Sequence, residues 1–425
     1  AVATAPPLEP DPDARFEPFP LTDVQRAYWL GRDPGLALGG VATWFYLEFE
    51  PELADPVAWE RAWRLLIGVH DALRTVVRPD GTQQVLRDMP DWTLPVLDLR
   101  GRADADAALA AVRAEMQQRV LPADRFPLFD LRASLFDGPA GPTLRLHFGL
   151  DLLVADGWGM MTLIGQWGAL AHGGPAPTAP PVSFRDCVLA LSREEGSPAW
   201  QADREWWQSR LDAIHPPPAL PLVPAADGHG ARFVRREATL DGPRWQRLKR
   251  SAARHGLTPA SALLAAFARI LAAWSERPEL TINLTLFNRP PLHPQIEQVV
   301  GDFTSTTLLA TESPADEAFA AAAARLQARL TADLEHRRFG GLRVMRELSQ
   351  LRGEAPLFPV VFTSGLSMGA PEQLRGGRYV HGLSQTPQVL LDHQVGETGD
   401  GLLLTWDAAE DRFLPGALDA MFAAY

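Results

Sequence analysis

The run Gly173-Gly174-Pro175-Ala176-Pro177-Thr178-Ala179-Pro180-Pro181 can build neither a helix nor a strand ladder, because proline withholds backbone donors and glycine resists ordering. It has linker composition and divides a chain of 425 residues into two parts, each long enough to bury its own core. We therefore read residues 1–15, rich in proline and acid, as a tail. Residues 16–172 are an N-terminal lobe, 173–181 the inter-lobe linker and 182–425 a C-terminal lobe.

In the first lobe, Thr22-Asp23-Val24-Gln25 has capping-box spacing, so a short helix starts at Thr22. Strands are expected over 41–49, 129–136 and 143–150, and a hairpin pairs 74–77 with 84–86 around Pro79-Asp80-Gly81. Asp55-Pro56 opens a helix in which Trp59, Trp63, Leu66, Ile67 and His70 recur at helical spacing and form a core face. Further helices are expected over 105–120 and from Gly157 towards Leu170. The second lobe reads as helices at 183–195 and from Pro198 through Trp207, then a strand at 232–240. A helix capped by Thr258-Pro259 runs to Trp274. Strands at 280–287 and 304–310, an alanine-rich helix over 315–337, strands at 357–363, 388–396 and 401–406, and a last helix reaching Tyr425 follow. Both lobes mix helix and strand without regular βα alternation. That order argues for α/β sandwiches with mixed sheets and against a doubly wound parallel sheet.

Charge and composition narrow the partners. A formal net charge of −12 and the lack of a basic stripe exclude nucleic acid as a partner. No apolar run approaches the roughly 18 residues that cross a bilayer, and no secretory signal is visible in the sequence, so we expect a cytoplasmic piece of a longer protein with no membrane partner. The single cysteine, Cys187, excludes an intrachain disulfide and a multi-cysteine metal site; in its amphipathic stretch it reads as a packing residue. Gly39-Gly40 and Gly340-Gly341 are isolated pairs and make no phosphate loop.

Three segments could carry chemistry. His147 to Trp158 places Asp151 and Asp156 in an otherwise apolar run at a strand end, where an ionised carboxylate needs a partner. Phe358 to Ser364 is a β-branched strand ending in the hydroxyls of Thr363 and Ser364. In the third, Ser384 to Gln394, alternation puts Leu390, Asp392 and Gln394 on one strand face and Leu391 and His393 on the other. An Asp inside such a strand is energetically out of place and marks a functional site, unless the strand is an edge.

These segments, together with Pro20 to Tyr28, His70 to Thr75, Asn288-Arg289, Val300 to Thr304 and Trp406-Asp407, resemble the heterocyclization domains of nonribosomal peptide synthetases. Those domains belong to the condensation-domain superfamily. The resemblance runs from about Phe16 to the end of the chain. It implies two chloramphenicol-acetyltransferase-like lobes forming a V-shaped pseudo-dimer with a central tunnel, and a crossover from the C-terminal half onto the N-terminal lobe. Amide-forming relatives carry two adjacent His, three variable residues, then Asp-Gly. Here Asp151-Leu152 replaces the His pair while Asp156-Gly157 is kept, and Gly159 stands where cyclization domains usually have Ser.

The resemblance implies that an upstream acyl or peptidyl thioester is joined to a downstream Cys, Ser or Thr thioester, and that the product is cyclodehydrated to a thiazoline or oxazoline. Upstream and downstream carrier-protein domains would present both substrates on phosphopantetheine arms, beside a neighbouring adenylation domain. No cofactor or metal is expected on the domain itself. Carried over by position, Asp392 is the general acid/base, Thr363 its hydrogen-bonding partner, and Gln385 a group that orients the reacting carbonyl or Asp392. Asp156 is expected to be structural and paired with Arg289 in a bidentate bond. Asp151 is expected to shape the tunnel or bond to backbone. His147 and His393 have weak claims. Amide formation without cyclization, and a non-catalytic scaffold for carrier proteins, remain as alternatives.

Overall fold

The structure, a computed structural model, describes residues 8–139, 141–224, 231–314, 316–366, 368, 377–399 and 401–425. The segment expected as a tail is packed from Leu8 onward. Leu8 N–H donates to the Leu292 carbonyl (3.1 Å), Arg15 pairs with Asp71 (2.6 Å) and Arg87 stacks over the Phe16 ring.

The N-terminal half begins with strand β1 (Phe19–Pro20) and helix α1 (Asp23–Leu30). The Thr22 hydroxyl accepts from Gln25 N–H and the Gln25 side chain accepts from Thr22 N–H, a complete capping box. Strand β2 (Trp44–Glu50), helix α2 (Pro56–Val69), the strands β3 (Thr75–Val77), β4 (Thr82–Val85) and β5 (Val96–Asp98), and helix α3 (Ala105–Met116) follow. The half closes with β6 (Phe129–Gly138), β7 (Gly141–Asp151) and α4 (Gly157–Ala171). Trp59 and Trp63 of α2 interlock with Trp167 of α4 at ring distances of 5.0 and 5.2 Å, so the helical face read from sequence is the core of this half.

The C-terminal half contains α5 (Phe184–Glu194), α6 (Pro198–Gln208), β8 (Phe233–Leu240), α7 (Gly242–Arg254), α8 (Pro259–Ala273), β9 (Glu279–Phe287), β10 (Thr304–Glu312), α9 (Phe319–Glu335) and α10 (Gly341–Arg352). It ends with β11 (Val360–Ser364), β12 (Arg378–Gln385), β13 (Leu391–Thr398), β14 (Gly401–Ala409) and α11 (Ala417–Ala424). Helices α7 and α10 and strand β12 are findings of the structure, absent from the sequence reading. Cys187 is buried on α5.

Among the described residues the strands form three sheets: β1-β4-β3, a six-stranded sheet in the order β10-β9-β11-β13-β14-β8, and a five-stranded sheet in the order β12-β2-β7-β6-β5. Both large sheets are mixed, with β11 parallel to β9 and β13, and β5 parallel to β6. The two remain separate. Strand β12, which comes from the C-terminal half, nevertheless completes the sheet of the N-terminal half by pairing antiparallel with β2. Phe267 of α8 packs on Phe362, His393 and Trp406, which fixes that face of the six-stranded sheet as core and leaves the opposite face for a cavity.

The approach of β7 to β2 depends on Gly149. A Cβ there would lie 2.1 Å from Trp44 Cζ2, and Trp44 is fully buried with its indole N–H donated to the Met116 carbonyl (2.9 Å). Gly149→Ala should therefore lower the denaturant midpoint by the equivalent of about 1–3 kcal/mol at unchanged slope. An unaltered midpoint would show that the Trp44 packing yields freely.

Candidate active site

A cavity of about 590 Å³ lies between the bare face of the six-stranded sheet and the N-terminal half. Its floor follows from strand alternation. Thr306 of β10, Thr285 of β9, Thr363 of β11, Gln394 of β13, Thr405 of β14 and Glu237 of β8 stand side by side in register, and all six line the cavity. The next row holds Asn283, Val361, Asp392, Asp407 and Arg235. The opposite wall is apolar, built by α1, β2 and α4 with Ala27, Tyr28, Phe45, Met160, Met161 and Ile164. One polar wall thus faces one apolar wall.

The structure brings Thr363 and Asp392 together. Thr363 Oγ1 donates to Asp392 Oδ1 (3.2 Å), and Gln394 Nε2 donates to Asp392 Oδ2 (2.7 Å). Burial pushes the Asp392 carboxyl up to about 7, Asp407 adds to the rise, and the Gln394 and Thr363 hydrogen bonds oppose it. The group can therefore hold or release a proton near neutrality. His393 points the other way, into the aromatic core, where burial drives it down to about 3 and keeps the ring neutral. His147 is buried against Tyr46 and Ser134 and does not line the cavity.

Asp156 and Arg289 also meet. The guanidinium forms a two-point bond of 2.5 and 2.8 Å, while Gly159 N–H (2.8 Å) and Phe303 N–H (3.3 Å) donate to the same carboxylate. Asp156 is the N-cap of α4, and Arg289 stacks on the Phe303 ring at 4.0 Å. A Cβ at Gly159 would stand 3.3 Å from Asp156 Oδ1 and from Val300 Cγ1, a close contact that glycine avoids.

Two expected site residues face away from the cavity. In the five-stranded sheet Gln385 pairs with Trp44 and Trp44 with Asp151, so these three share the sheet face opposite to that of Ser384 and Phe45. Gln385 donates to the Arg119 carbonyl (3.1 Å) and is not placed to orient Asp392. Asp151 is fully buried, is ion-paired with Arg32 and accepts from Leu153 N–H (3.1 Å). It bonds to backbone and does not line the cavity.

The sequence reading missed Arg235 and undervalued Asp407, which form a two-point ion pair of 2.8 and 2.5 Å beside Asp392. The signal was present: Asp407 sits inside the apolar strand Leu402 to Ala409 and needed a cation as much as Asp156 did. Among the described residues no three His, Cys, Asp or Glu side chains converge to hold a metal, and no single helix is long and apolar enough to cross a membrane.

A condensation-domain family model matches residues 18–373. The chain belongs to the condensation-domain family. This condensation domain is 40% identical over 423 residues to pyochelin synthetase PchF of Pseudomonas aeruginosa, covering 97% of this chain and 23% of that protein. It is 38% identical over 418 residues to phenyloxazoline synthase MbtB of Mycobacterium tuberculosis, covering 96% of this chain and 29% of the other. It thus spans less than a third of either relative. Among solved structures it matches the cyclization-docking bidomain of EpoB from Sorangium cellulosum with a TM-score of 0.90 at 35% identity, over 99% of this chain and 86% of that one. The mixed-sheet α/β fold expected from the sequence is therefore the fold of solved cyclization and condensation domains.

Two tests follow from the charges in this domain. Asp156→Ala strands the buried Arg289 guanidinium and removes the α4 cap, so stability should fall by about 3–5 kcal/mol, read as an early melt. A normal melting temperature would remove Asp156 from its structural role. Asp392 acts in the opposite sense. Its native carboxyl keeps a proton up to about 7, whereas an unfolded Asp releases it at about 3.9, so Asp392 lowers stability progressively as pH rises through that window. Asp392→Asn should melt above the parent at pH 8, with the difference vanishing near pH 4; equal melts at both pH values would contradict the raised proton affinity.

Proposed function

We propose that this domain is a heterocyclase. It condenses a carrier-bound acyl or peptidyl thioester with a carrier-bound Cys, Ser or Thr and then closes the thiazoline or oxazoline ring. The carrying observation is the Asp392 carboxyl on the cavity floor, hydrogen-bonded by Thr363 and Gln394 and titrating near neutrality. The relatives point the same way: one is named a phenyloxazoline synthase, and the matched EpoB segment is a cyclization domain. Asp151 in place of the family's His leaves no imidazole at that position, so base chemistry falls to a carboxylate elsewhere.

In the first step the acceptor amine attacks the thioester carbonyl; the C–N bond forms, the C–S bond breaks and the donor thiol leaves with a proton. Holding both tethered groups in one cavity supplies most of what this step needs. In the second step Asp392 takes the proton of the acceptor thiol or hydroxyl as that atom bonds to the new amide carbon, and passes it to the carbonyl oxygen. It then takes the amide N–H proton and delivers it to the hydroxyl, which departs as water as the C=N bond forms. Both protons of the water come from the substrate, and Asp392 ends as it began. Thr363 holds the carboxyl plane. Upstream and downstream carrier proteins, with their phosphopantetheine arms, are the partners this chemistry requires, and a neighbouring adenylation domain would load the acceptor. Catalysis itself calls for no cofactor on the domain.

Reconstitution with loaded donor and acceptor carriers, followed by mass spectrometry of the downstream carrier, tests the reading. Loss of water beyond condensation supports a heterocyclase, condensation alone an amide-forming domain, and no product a scaffold. Asp392→Asn keeps the shape but cannot carry a proton, so ring formation should fall by about 10²–10⁴-fold while uncyclized amide accumulates. Thr363→Val should err in the same direction by less. Ring product at the parental rate in Asp392→Asn, or loss of the amide as well, would sink this assignment of roles.

A further inference from the structure

Asp392 does not stand alone on its sheet face. Directly opposite it on β14 is Asp407, and opposite Asp407 on β8 is Arg235. Asp407 is fully buried, and its Oδ2 accepts from Arg235 (2.5 Å), from Ser384 N–H on the crossing strand (3.0 Å) and, at longer range, from Gln394 Nε2 (3.5 Å). The same Gln394 amide nitrogen donates to Asp392 Oδ2 at 2.7 Å, so one side chain bridges two carboxylates. A backbone feature of the crossing strand makes room for the clamp. A Cβ on Gly382 would come within 2.6 Å of an Arg235 guanidinium nitrogen.

We propose that the Arg235–Asp407 pair is the positioning element of ring closure: through Gln394 it fixes the plane of the Asp392 carboxyl, and the Asp407 charge keeps Asp392 in the state that can hand a proton to the departing hydroxyl. The proposal rests on the heterocyclase reading for its chemistry but on the sheet register for its geometry. Burial pushes the Asp407 carboxyl up, and the two-point guanidinium bond opposes this; against its own burial, Arg235 is held protonated by Asp407. The ion-paired Asp407 carboxylate stands directly beside Asp392, whose proton affinity rises through burial first and through Asp407 next, while Arg235, one strand farther away, opposes the rise. The other titratable groups lining the cavity are Glu237, on the same sheet as Asp392, Tyr379 on β12 and Tyr28 on α1. Glu237 accepts from Tyr379 Oη (2.9 Å), and Tyr28 is raised by burial and by nearby carboxylates including Asp392, so it stays neutral. On the strand of Asp392 itself, Glu397 pairs with Lys249 (3.1 Å). Asp407 is thus the anion set directly beside Asp392.

The test is a carbon-13 titration of the Asp392 carboxyl in substrate-free protein labelled at aspartate, with the signal assigned through Asp392→Asn, alongside the ratio of ring to amide in the reconstituted assay. In Asp407→Asn the Asp392 midpoint should drop by about one pH unit or more, because a neighbouring anion is lost and a cation is left behind. Ring closure at pH 8 should fall at least tenfold with condensation retained. Gln394→Met, which leaves the ion pair intact and removes a hydrogen bond to the ionised form, should move the midpoint upward. Asp407→Glu keeps the charge and should leave the midpoint near the parental value while ring closure slows. A structural role alone would lower melting and both rates without displacing the midpoint, and that result overturns the proposal. Should Asp407→Asn fail to fold, an unmoved midpoint in Gln394→Met overturns it as well. If the parent protein forms no ring, the heterocyclase reading fails by itself, and the titration still decides whether Asp407 governs Asp392.

Discussion

One carboxylate holds the two halves in register. Asp156 lies just beyond the long strand β7 and caps α4, yet the guanidinium and one of the amides that satisfy it belong to the segment between β9 and β10 of the other half. Removing an ion pair from water is expensive, so its net gain over an apolar contact is small. What the pair supplies is selectivity. Only one placement of α4 against that segment satisfies a buried anion and a buried cation together, and that placement leaves a gap over the bare face of the six-stranded sheet. Val300 packs into the N-terminal core and Val41 into the C-terminal one, so apolar side chains follow the same registration.

The crossing strand is the second tie, and it explains how the cavity acquires a fixed chemistry as well as a fixed width. Strand β12 pairs with β2 through its backbone, while its Ser384 amide and the open space at Gly382 serve the Arg235–Asp407 pair on the other sheet. A single strand thereby touches both sheets with different groups. Movement of one half relative to the other would disturb the ion pair beside Asp392 before it reached Asp392 itself.

The legible parts of the sequence were those where local physics is decisive. The Thr22 capping box, the Trp59 and Trp63 face and the β-branched strands needed only near neighbours, and the structure contains them within a few residues. A carboxylate in an apolar run was a sound marker too, because the penalty for burying it does not depend on knowing the fold. What escaped was set by tertiary pairing. Strand β12, Arg-Tyr-Val-His-Gly-Leu-Ser-Gln, has little apolar content of its own and becomes a strand because β2 lacks a neighbour on that edge. Helix α7 is highly polar overall, with Trp245, Leu248 and Ala252 as its inward side chains, so it has few apolar residues to mark it. Gln385 shows the limit most sharply. Its type suits an orienting role, but strand period two gives its neighbour Ser384 to the cavity and Gln385 to the opposite face, and a phase error of one residue reverses the assignment.

The cavity floor carries a second consequence of that same periodicity. Six neighbouring strands each place a polar side chain in one row, and a sheet built only for stability would not expose such a row to an enclosed apolar wall. Asp392 sits one step from it, in a site where burial opposes its ionised form, and the groups in direct contact that support that form, Gln394 and Thr363, are neutral hydrogen-bond donors. A cation in direct contact would have relieved that penalty, and it would also have lowered the proton affinity near neutrality on which the proposed ring closure rests. The fold instead puts its cation one strand farther away, on Asp407. Separating the cation from Asp392 by one strand leaves that carboxyl destabilised as an anion, which is the condition the proposed proton transfer requires.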